Sequence, residues 1–415
     1  MKKSCSFDKG EKMAKRKKWI KPRHRIIQAI AKYVLWPVCR WKYGIKIEKF
    51  KEQENRPYLI LYNHQTAFDQ FFMGISFKGP VYYLATEDIF SMGFVSSLLR
   101  FVVAPIPIKK QTTDVGAVMN CIRVAKEGGT ICLAPEGNRT YSGKTEYINP
   151  AIVPLAKKLK LPIALYRIEG GYGVQPRWSD KTRKGKMRSY VSEVIMPEEL
   201  FAMTDEELAE RINSGLFVDE AKADGVFKSE VKAEYMERAV YVCPFCGFSE
   251  FESHGNEAFC KTCGRTVTYG EDKKISGKGF EFPFEFFGEW YDYQKDFVNG
   301  LNILDYTEEP LFNDEVKIKE VIIRKNKIPF RDEAKFALYG DKIITDRGTE
   351  KEWVIPFSEL SAVSVLGRNK LNLYHGTKVY QVTGSKRFNA LKYVNIYYRW
   401  KNISEGNENG KFLGL

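Results

Sequence analysis

The rhythm of apolar and polar positions changes several times along the chain. In "KKWIKPRHRIIQAIAKYVLWPVCRWKYG" (17–44), Trp19, Ile26, Ile27, Ile30, Tyr33, Val34 and Trp36 fall on one broad side of a helix, flanked by Lys and Arg. This pattern predicts a basic amphipathic helix lying in a headgroup plane. From residue 57, short apolar runs alternate with amphipathic ones. "PYLILYN", "PVYYLAT", "APIPIKK", "TICLAPEG" and "LPIALYRIEG" read as strands or extended chain. "DQFFMGISF", "SMGFVSSLLRFV", "VGAVMNCIRVAKEG" and "AIVPLAKKLK" read as helices. Alternation of this kind predicts an α/β domain, with a mixed sheet flanked by helices, over 51–215. "MPEELFAMTDEELAERINSGLFVDEAKADG" (196–225) reads as helical, and "PRWSDKTRKGKMRS" (176–189) as a basic loop, either facing phospholipid headgroups or simply solvated. After residue 280 comes an aromatic helix, "FEFFGEWYDYQKDFVNGL". Short β-rich runs follow, and an amphipathic "RFNALKYVNIYYRWKN" closes the region.

At 415 residues, two or three domains are expected. Of the net charge of +14, residues 1–50 carry +13, with 16 Lys/Arg against Asp8, Glu11 and Glu48. A basic arm on a near-neutral body calls for an anionic surface as partner. No run is long and uncharged enough to read as a membrane span: "IFSMGFVSSLLRFVVAPIPI" contains Arg100 and ends in prolines.

The eight cysteines are not spaced as a disulfide framework. Four form two C-x-x-C pairs, Cys243/Cys246 and Cys260/Cys263, separated by thirteen residues and each followed by Gly. Four thiolates at this spacing predict a structural zinc ribbon over 238–270 in a reducing compartment. His254, between the pairs, reads as a loop residue.

Only four histidines are present. His64 stands five residues before Asp69. On one continuous helix the two side chains would point about 140° apart. They meet if His64 lies in the turn after a strand and Asp69 opens the next helix, where the carboxylate fixes the imidazole tautomer and frees the other nitrogen to act as a base. Further on, "APEGNR" closes a strand with Pro135, Glu136 and Gly137, followed by Arg139. A glycine beside an acid permits close backbone approach to a ligand, and the arginine fork suits a phosphate. Lys109 and Lys110 are further candidate phosphate clamps.

Together and in this order, these residues resemble the glycerophospholipid acyltransferase family, the group that contains 1-acylglycerol-3-phosphate acyltransferases. Its N-H-x4-D motif is matched by Asn63, His64 and Asp69. Its P-E-G-[TS]-R motif is matched by Pro135, Glu136, Gly137, Asn138 and Arg139, with Asn138 replacing Thr/Ser. Its G-x-x-[FI]-[IV]-x-R motif aligns with "APIPIKK", where Ala104 stands for Gly and Lys110 for Arg. Its proline-bearing strand motif aligns around Pro162. The resemblance covers roughly residues 25–215. It implies that His64 deprotonates an acceptor hydroxyl and that Asp69 orients the imidazole. Arg139, Lys110 and Lys109 would bind the acceptor's phosphate, and Glu136 would bind the acceptor's hydroxyl or order the site. The implied partners are a lysophospholipid acceptor, an acyl carrier protein or CoA thioester donor and a membrane surface, with no nucleic acid. The implied location is peripheral, on the cytoplasmic face of the cell membrane. Residues 280–405 resemble pleckstrin-homology (PH)-like architecture by pattern alone.

Overall fold

The computed structural model describes residues 18–52, 56–86, 89–90, 94–108, 114–322, 327–407 and 409–414. The first half is an α/β domain. Its elements are α1 (Pro22–Tyr43), β1 (Ile45–Ile47), β2 (Leu59–Tyr62), α2 (Asp69–Ser76), β3 (Val81–Thr86), α3 (Phe94–Val102), β4 (Ile106–Ile108), α4 (Val115–Lys126), β5 (Thr130–Leu133), α5 (Ile152–Leu159), β6 (Ile163–Glu169), α6 (Gly171–Val174), β7 (Met187–Ile195), α7 (Pro197–Ala202) and α8 (Asp205–Leu216). The strands form one sheet in the order β1-β7-β6-β2-β5-β3-β4. Neighbours are parallel except β6 and β7, which makes the sheet mixed.

Both faces of the sheet are covered, which explains unbroken apolar strands such as "LILY". Leu59 and Leu61 join one core with Val124, Val153 and Ile212, whereas Ile60 and Tyr62 join the other with Tyr43, Phe72 and Met73. Local chemistry sets the ends of elements. Asp114 caps α4 by accepting the Ala117 N–H at 3.0 Å, and Gly128 beyond its end has φ 82°. Thr204 and Glu207 form a reciprocal capping box that starts α8.

Two expectations for the first half need correction. Helix in 196–225 stops at Leu216. Chain 176–189 is not a headgroup-facing loop: Arg177, Trp178 and Arg183 are buried, and β7 begins at Met187. β1 was too short to stand out, yet it pairs in parallel with β7.

The second half contains two small sheets, β8 (Val242–Cys243) with β9 (Gly247–Phe248), and β10 (Phe251–His254), β11 (Glu257–Cys260), β12 (Thr266–Tyr269) and β13 (Ile275–Gly277). Next come α9 (Phe287–Gly300) and β14 (Phe312–Glu320), β15 (Ile328–Leu338), β16 (Lys342–Thr345), β17 (Trp353–Pro356), β18 (Leu360–Leu366), β19 (Lys370–His375) and β20 (Lys378–Thr383), then α10 (Leu391–Ser404). The seven later strands form an antiparallel half-barrel, ordered β17-β16-β15-β14-β20-β19-β18, with α10 packed against it. His254 ends β10 rather than lying in a loop. Arg387 bonds to Glu237 and to the Ser253 carbonyl, joining the half-barrel to the small sheet. One core runs through all of this, uniting Tyr141, Tyr172 and Trp178 of the first half with Cys243, Cys260, Trp290 and the half-barrel.

Helix α1 is inverted relative to a surface helix of a soluble protein. Several of its polar residues face inward: Gln28 exchanges two bonds with the Val81 backbone, and Lys32 Nζ donates to the carbonyls of Phe77, Lys78 and Gly79 beyond the end of α2. Its apolar side faces out, with Tyr33 83% and Trp41 87% exposed, joined by Ile26, Ile30 and Val34. On the adjoining α3, Phe94 is 82% exposed, and Phe101 lies under the Arg23 guanidinium. Trp19 differs from that side: its indole N–H reaches the Ala104 carbonyl at 3.0 Å. Among the described residues, no helix is long and apolar enough to cross a membrane.

Candidate active site

β2 and its neighbour β5 run parallel, so the segments leaving their C-terminal ends emerge at one edge of the sheet, where ligands of α/β sheets bind. His64 leaves β2, and Pro135–Arg139 leave β5. Asn63 fixes the exit. Its Nδ2 donates to the Ile168 carbonyl and its Oδ1 accepts the Ile168 N–H, both at 2.8 Å, tying the end of β2 to β6.

Asp69 is the first residue of α2 and is fully buried. Its Oδ2 lies 2.8 Å from His64 Nδ1. The same carboxylate accepts the N–H groups of Gln65 (2.7 Å) and Thr66 (2.9 Å) and the Thr66 hydroxyl (2.6 Å). With Asp69 ionised, Nδ1 is the protonated nitrogen and Nε2 carries the free lone pair. The His64 side chain keeps 21% of its surface exposed. Burial lowers its pKa below 6.5. Asp69 opposes that shift, and the nearby Arg139 and Arg177 reinforce it. At neutral pH the imidazole is therefore an unprotonated base.

Each oxygen of the Glu136 carboxylate accepts a backbone N–H: Oε1 that of His64 at 2.7 Å and Oε2 that of Glu146 at 2.8 Å. These bonds are what an ordering role, one of its two expected roles, requires. Burial pushes this carboxyl well above the usual carboxylate range, against the pull of the two N–H donors. Gly137 turns the chain with φ 69°, a left-handed conformation that favours glycine. Thr140 N–H then donates to the His64 carbonyl at 3.1 Å, so the two motifs share backbone bonds.

Arg139 is 9% exposed. Its Nε donates to the Gln65 carbonyl (3.3 Å) and its Nη2 to the Gln175 carbonyl (3.0 Å). Burial, and next the Arg177 charge, lower its pKa to about 10, so it stays cationic at neutral pH. His64, Asp69, Glu136, Gly137 and Arg139 thus converge. Lys109 and Lys110 lie outside the described residues. Ala104, aligned with a family glycine, has φ 42°, the left-handed region where glycine is at home.

Sequence reasoning passed over Gln65 and Arg177. Both Gln65 side-chain polar atoms are buried without a hydrogen-bond partner beside His64. Arg177 binds the Arg139 carbonyl at 2.6 Å. Only adjacency to His64 could have flagged Gln65, and nothing local flags Arg177.

A family model described as "Acyltransferase" matches residues 45–168. Those residues form an acyltransferase-family domain. The region is similar to the 1-acyl-sn-glycerol-3-phosphate acyltransferase of Borreliella burgdorferi, 29% identical over 139 residues, which is 31% of this chain and 54% of that protein. The chain thus spans about half the length of the curated relative it matches. Among solved structures, the 1-acyl-sn-glycerophosphate (LPA) acyltransferase of Thermotoga maritima is similar at 19% identity and TM-score 0.39, covering 46% of this chain and 76% of that one. The N-terminal PH domain of Vps36 is similar at 21% identity and TM-score 0.20, covering 23% of this chain and 82% of that one.

Far along the chain from the acyltransferase domain, the Sγ atoms of Cys243, Cys246, Cys260 and Cys263 all lie within 4.8 Å of one another, and none is in a disulfide. Cys243–Cys263 (3.8 Å) and Cys246–Cys260 (3.5 Å) are close to the edge of about 3.8 Å that a tetrahedron of 2.3 Å metal–sulfur bonds requires. The turns carrying them include Gly247 (φ 78°) and Gly264 (φ 71°). The four thiols fit a closed metal site.

Proposed function

We propose that the protein transfers a fatty acyl group from a thioester donor, acyl carrier protein or CoA, to the free hydroxyl of 1-acylglycerol-3-phosphate, giving phosphatidic acid. The reading rests above all on the 2.8 Å His64–Asp69 contact beside Arg139. His64 Nε2 takes the acceptor's hydroxyl proton as that oxygen attacks the thioester carbonyl. Collapse of the tetrahedral adduct expels the thiolate, which recovers the proton from His64. Asp69 holds the tautomer and stabilises the transient imidazolium. Such base catalysis contributes about 10²–10⁴-fold. Arg139, with Lys109 and Lys110, holds the phosphate.

The exposed apolar side of α1 and α3, framed by basic residues, suits a peripheral seat on an anionic bilayer. Free thiols throughout the described cysteines favour the cytoplasmic face. Zinc is the metal that four thiolates at this spacing suit, in a structural role. The chain is read as an arm (1–50), a catalytic domain (51–215), a ribbon (238–270) and a PH-like domain (280–405).

A second acceptor, another lysophospholipid or a glycolipid, is favoured by the departures at Ala104 and Lys110. The intact dyad argues against a non-catalytic membrane adaptor. The test is acyl transfer to lysophosphatidic acid by wild type and His64→Ala. Turnover should vanish in the variant while zinc content and unfolding stay unchanged. Equal turnover by both would remove His64 as the base. Transfer to a different lysolipid alone would move the acceptor assignment.

A further inference from the structure

The buried segment 175–183 reaches two places at once. Arg177 is 2% exposed, and its bonds run in opposite directions. Towards the active site, Nη1 donates to the Arg139 carbonyl at 2.6 Å. Towards the C-terminal half-barrel, Nε donates to the Gly367 carbonyl at 2.9 Å and Nη2 to the Val365 carbonyl at 3.4 Å. The guanidinium lies 4.2 Å over the Tyr141 ring, and the Tyr141 hydroxyl donates to the Arg368 carbonyl at 2.7 Å. The β18–β19 hairpin is thus gripped through three backbone carbonyls, those of Val365, Gly367 and Arg368. Two residues upstream of Arg177, the Gln175 carbonyl receives the Arg139 guanidinium, and Gln175 Oε1 accepts the Ala67 N–H at 3.0 Å. Arg139 is therefore held at both ends, head and backbone, by one short segment. Among the described residues, neither Arg139 nor Arg177 is ion-paired with a carboxylate. Two buried guanidinium groups satisfied mainly by carbonyls, with no carboxylate in direct contact, stand near His64 and the Asp69 carboxylate and leave a place for an anion.

We propose that Arg177 is a positioning residue for the acceptor's phosphate. By bonding the Arg139 backbone and the β18–β19 hairpin together, it fixes the Arg139 fork and makes acceptor binding depend on the docked C-terminal half-barrel. The inference rests on the acyltransferase reading above. The fork geometry matters as well as the charge, because a lysine keeps the charge but cannot serve carbonyls on both sides.

The test compares wild type, Arg177→Lys and Tyr141→Phe in the full-length protein. Calorimetric binding of sn-glycerol 3-phosphate is measured alongside acyl-transfer kinetics. Arg177→Lys should raise the Kd for glycerol 3-phosphate and the KM for lysophosphatidic acid by about tenfold, with kcat within about twofold and donor KM unchanged. Tyr141→Phe removes one bond to the hairpin and should shift the same two constants by about two- to threefold. Unchanged acceptor constants in Arg177→Lys overturn the proposal. So does a parallel loss in kcat, both KM values and thermal midpoint, the mark of a merely structural residue. If the wild type transfers no acyl group but Arg177→Lys still weakens glycerol 3-phosphate binding, the reaction assignment falls and the positioning role stands. If the wild type neither binds nor transfers, both fall.

Discussion

Glu136 accepts the backbone N–H of His64, 72 positions earlier, at 2.7 Å, so the strand end bearing His64 is held by the strand end that leads into Arg139. A glutamine there would turn an amide N–H towards one of the two N–H groups the carboxylate now accepts. Glu136→Gln should destabilise the protein by about 1–3 kcal/mol. It should lower kcat with little change in acceptor KM, since both carboxylate oxygens are occupied by backbone. Urea unfolding and steady-state kinetics check this, and a selective rise in acceptor KM would return Glu136 to a substrate-binding role.

On the proposed mechanism, the His64 pKa sets the pH profile. It is lowered below 6.5, chiefly by burial, and the base works unprotonated. Log kcat/KM should therefore be flat through neutrality and fall with unit slope only below pH 6.5. Asp69→Asn removes the opposing carboxylate, so the acid limb should move to still lower pH while the rate drops by about 10²–10⁴-fold. The same shift acts on stability. The unfolded state binds the extra proton first, so this group's contribution rises with pH through 6.5 and is lost below the folded pKa. An acid limb above 6.5 would contradict the assignment.

Much of the site was legible because its logic is local. Strand, turn and helix start are encoded within 58–72, and the unbroken apolar run of β2 and the period-3.6 patterns of α2 and α4 are strong. The packing of 176–189 was not legible. Its charges suggest solvent, yet Arg177 is buried by carbonyls about 190 positions away and Arg183 by the Tyr269 ring. Backbone acceptors leave no trace in side-chain pattern. The three-residue β1 likewise exists only through its partner β7.

The four-cysteine cluster shares a core with the half-barrel, since Cys243 and Cys260 are buried with Trp290 and Tyr241. Metal loss should therefore loosen more than the ribbon. Purified protein should hold one zinc per chain by elemental analysis. Cys246→Ser, at the exposed ligand, should abolish it and lower the thermal midpoint. A metal-free wild type with an unchanged midpoint would rule out a structural zinc.

Ala104 keeps a left-handed φ of 42° where a glycine would be unstrained. The conformation costs a non-glycine residue about 1–2 kcal/mol, offset in part by the greater unfolded-state freedom of glycine. Ala104→Gly should stabilise the protein by about 0.5–1 kcal/mol in urea unfolding, and a destabilised variant would contradict the strain.

The outward apolar side of α1 should decide membrane attachment. Tyr33 and Trp41 are each more than four-fifths exposed and share a helix whose inner side is fixed by Gln28 and Lys32. Replacing them therefore leaves the fold's own contacts intact. A buried aromatic side chain contributes about 1.5–3 kcal/mol, and rings at the headgroup boundary are only partly buried. Tyr33→Ser with Trp41→Ser should weaken binding to anionic phospholipid vesicles by about ten- to a hundredfold at unchanged thermal midpoint. High salt should weaken wild type and variant alike, because the basic residues remain. Turnover of lysophosphatidic acid presented in vesicles should fall with binding, whereas turnover of a short-chain acceptor dissolved in water should not. Vesicle binding equal to wild type would place the anchor elsewhere on the chain.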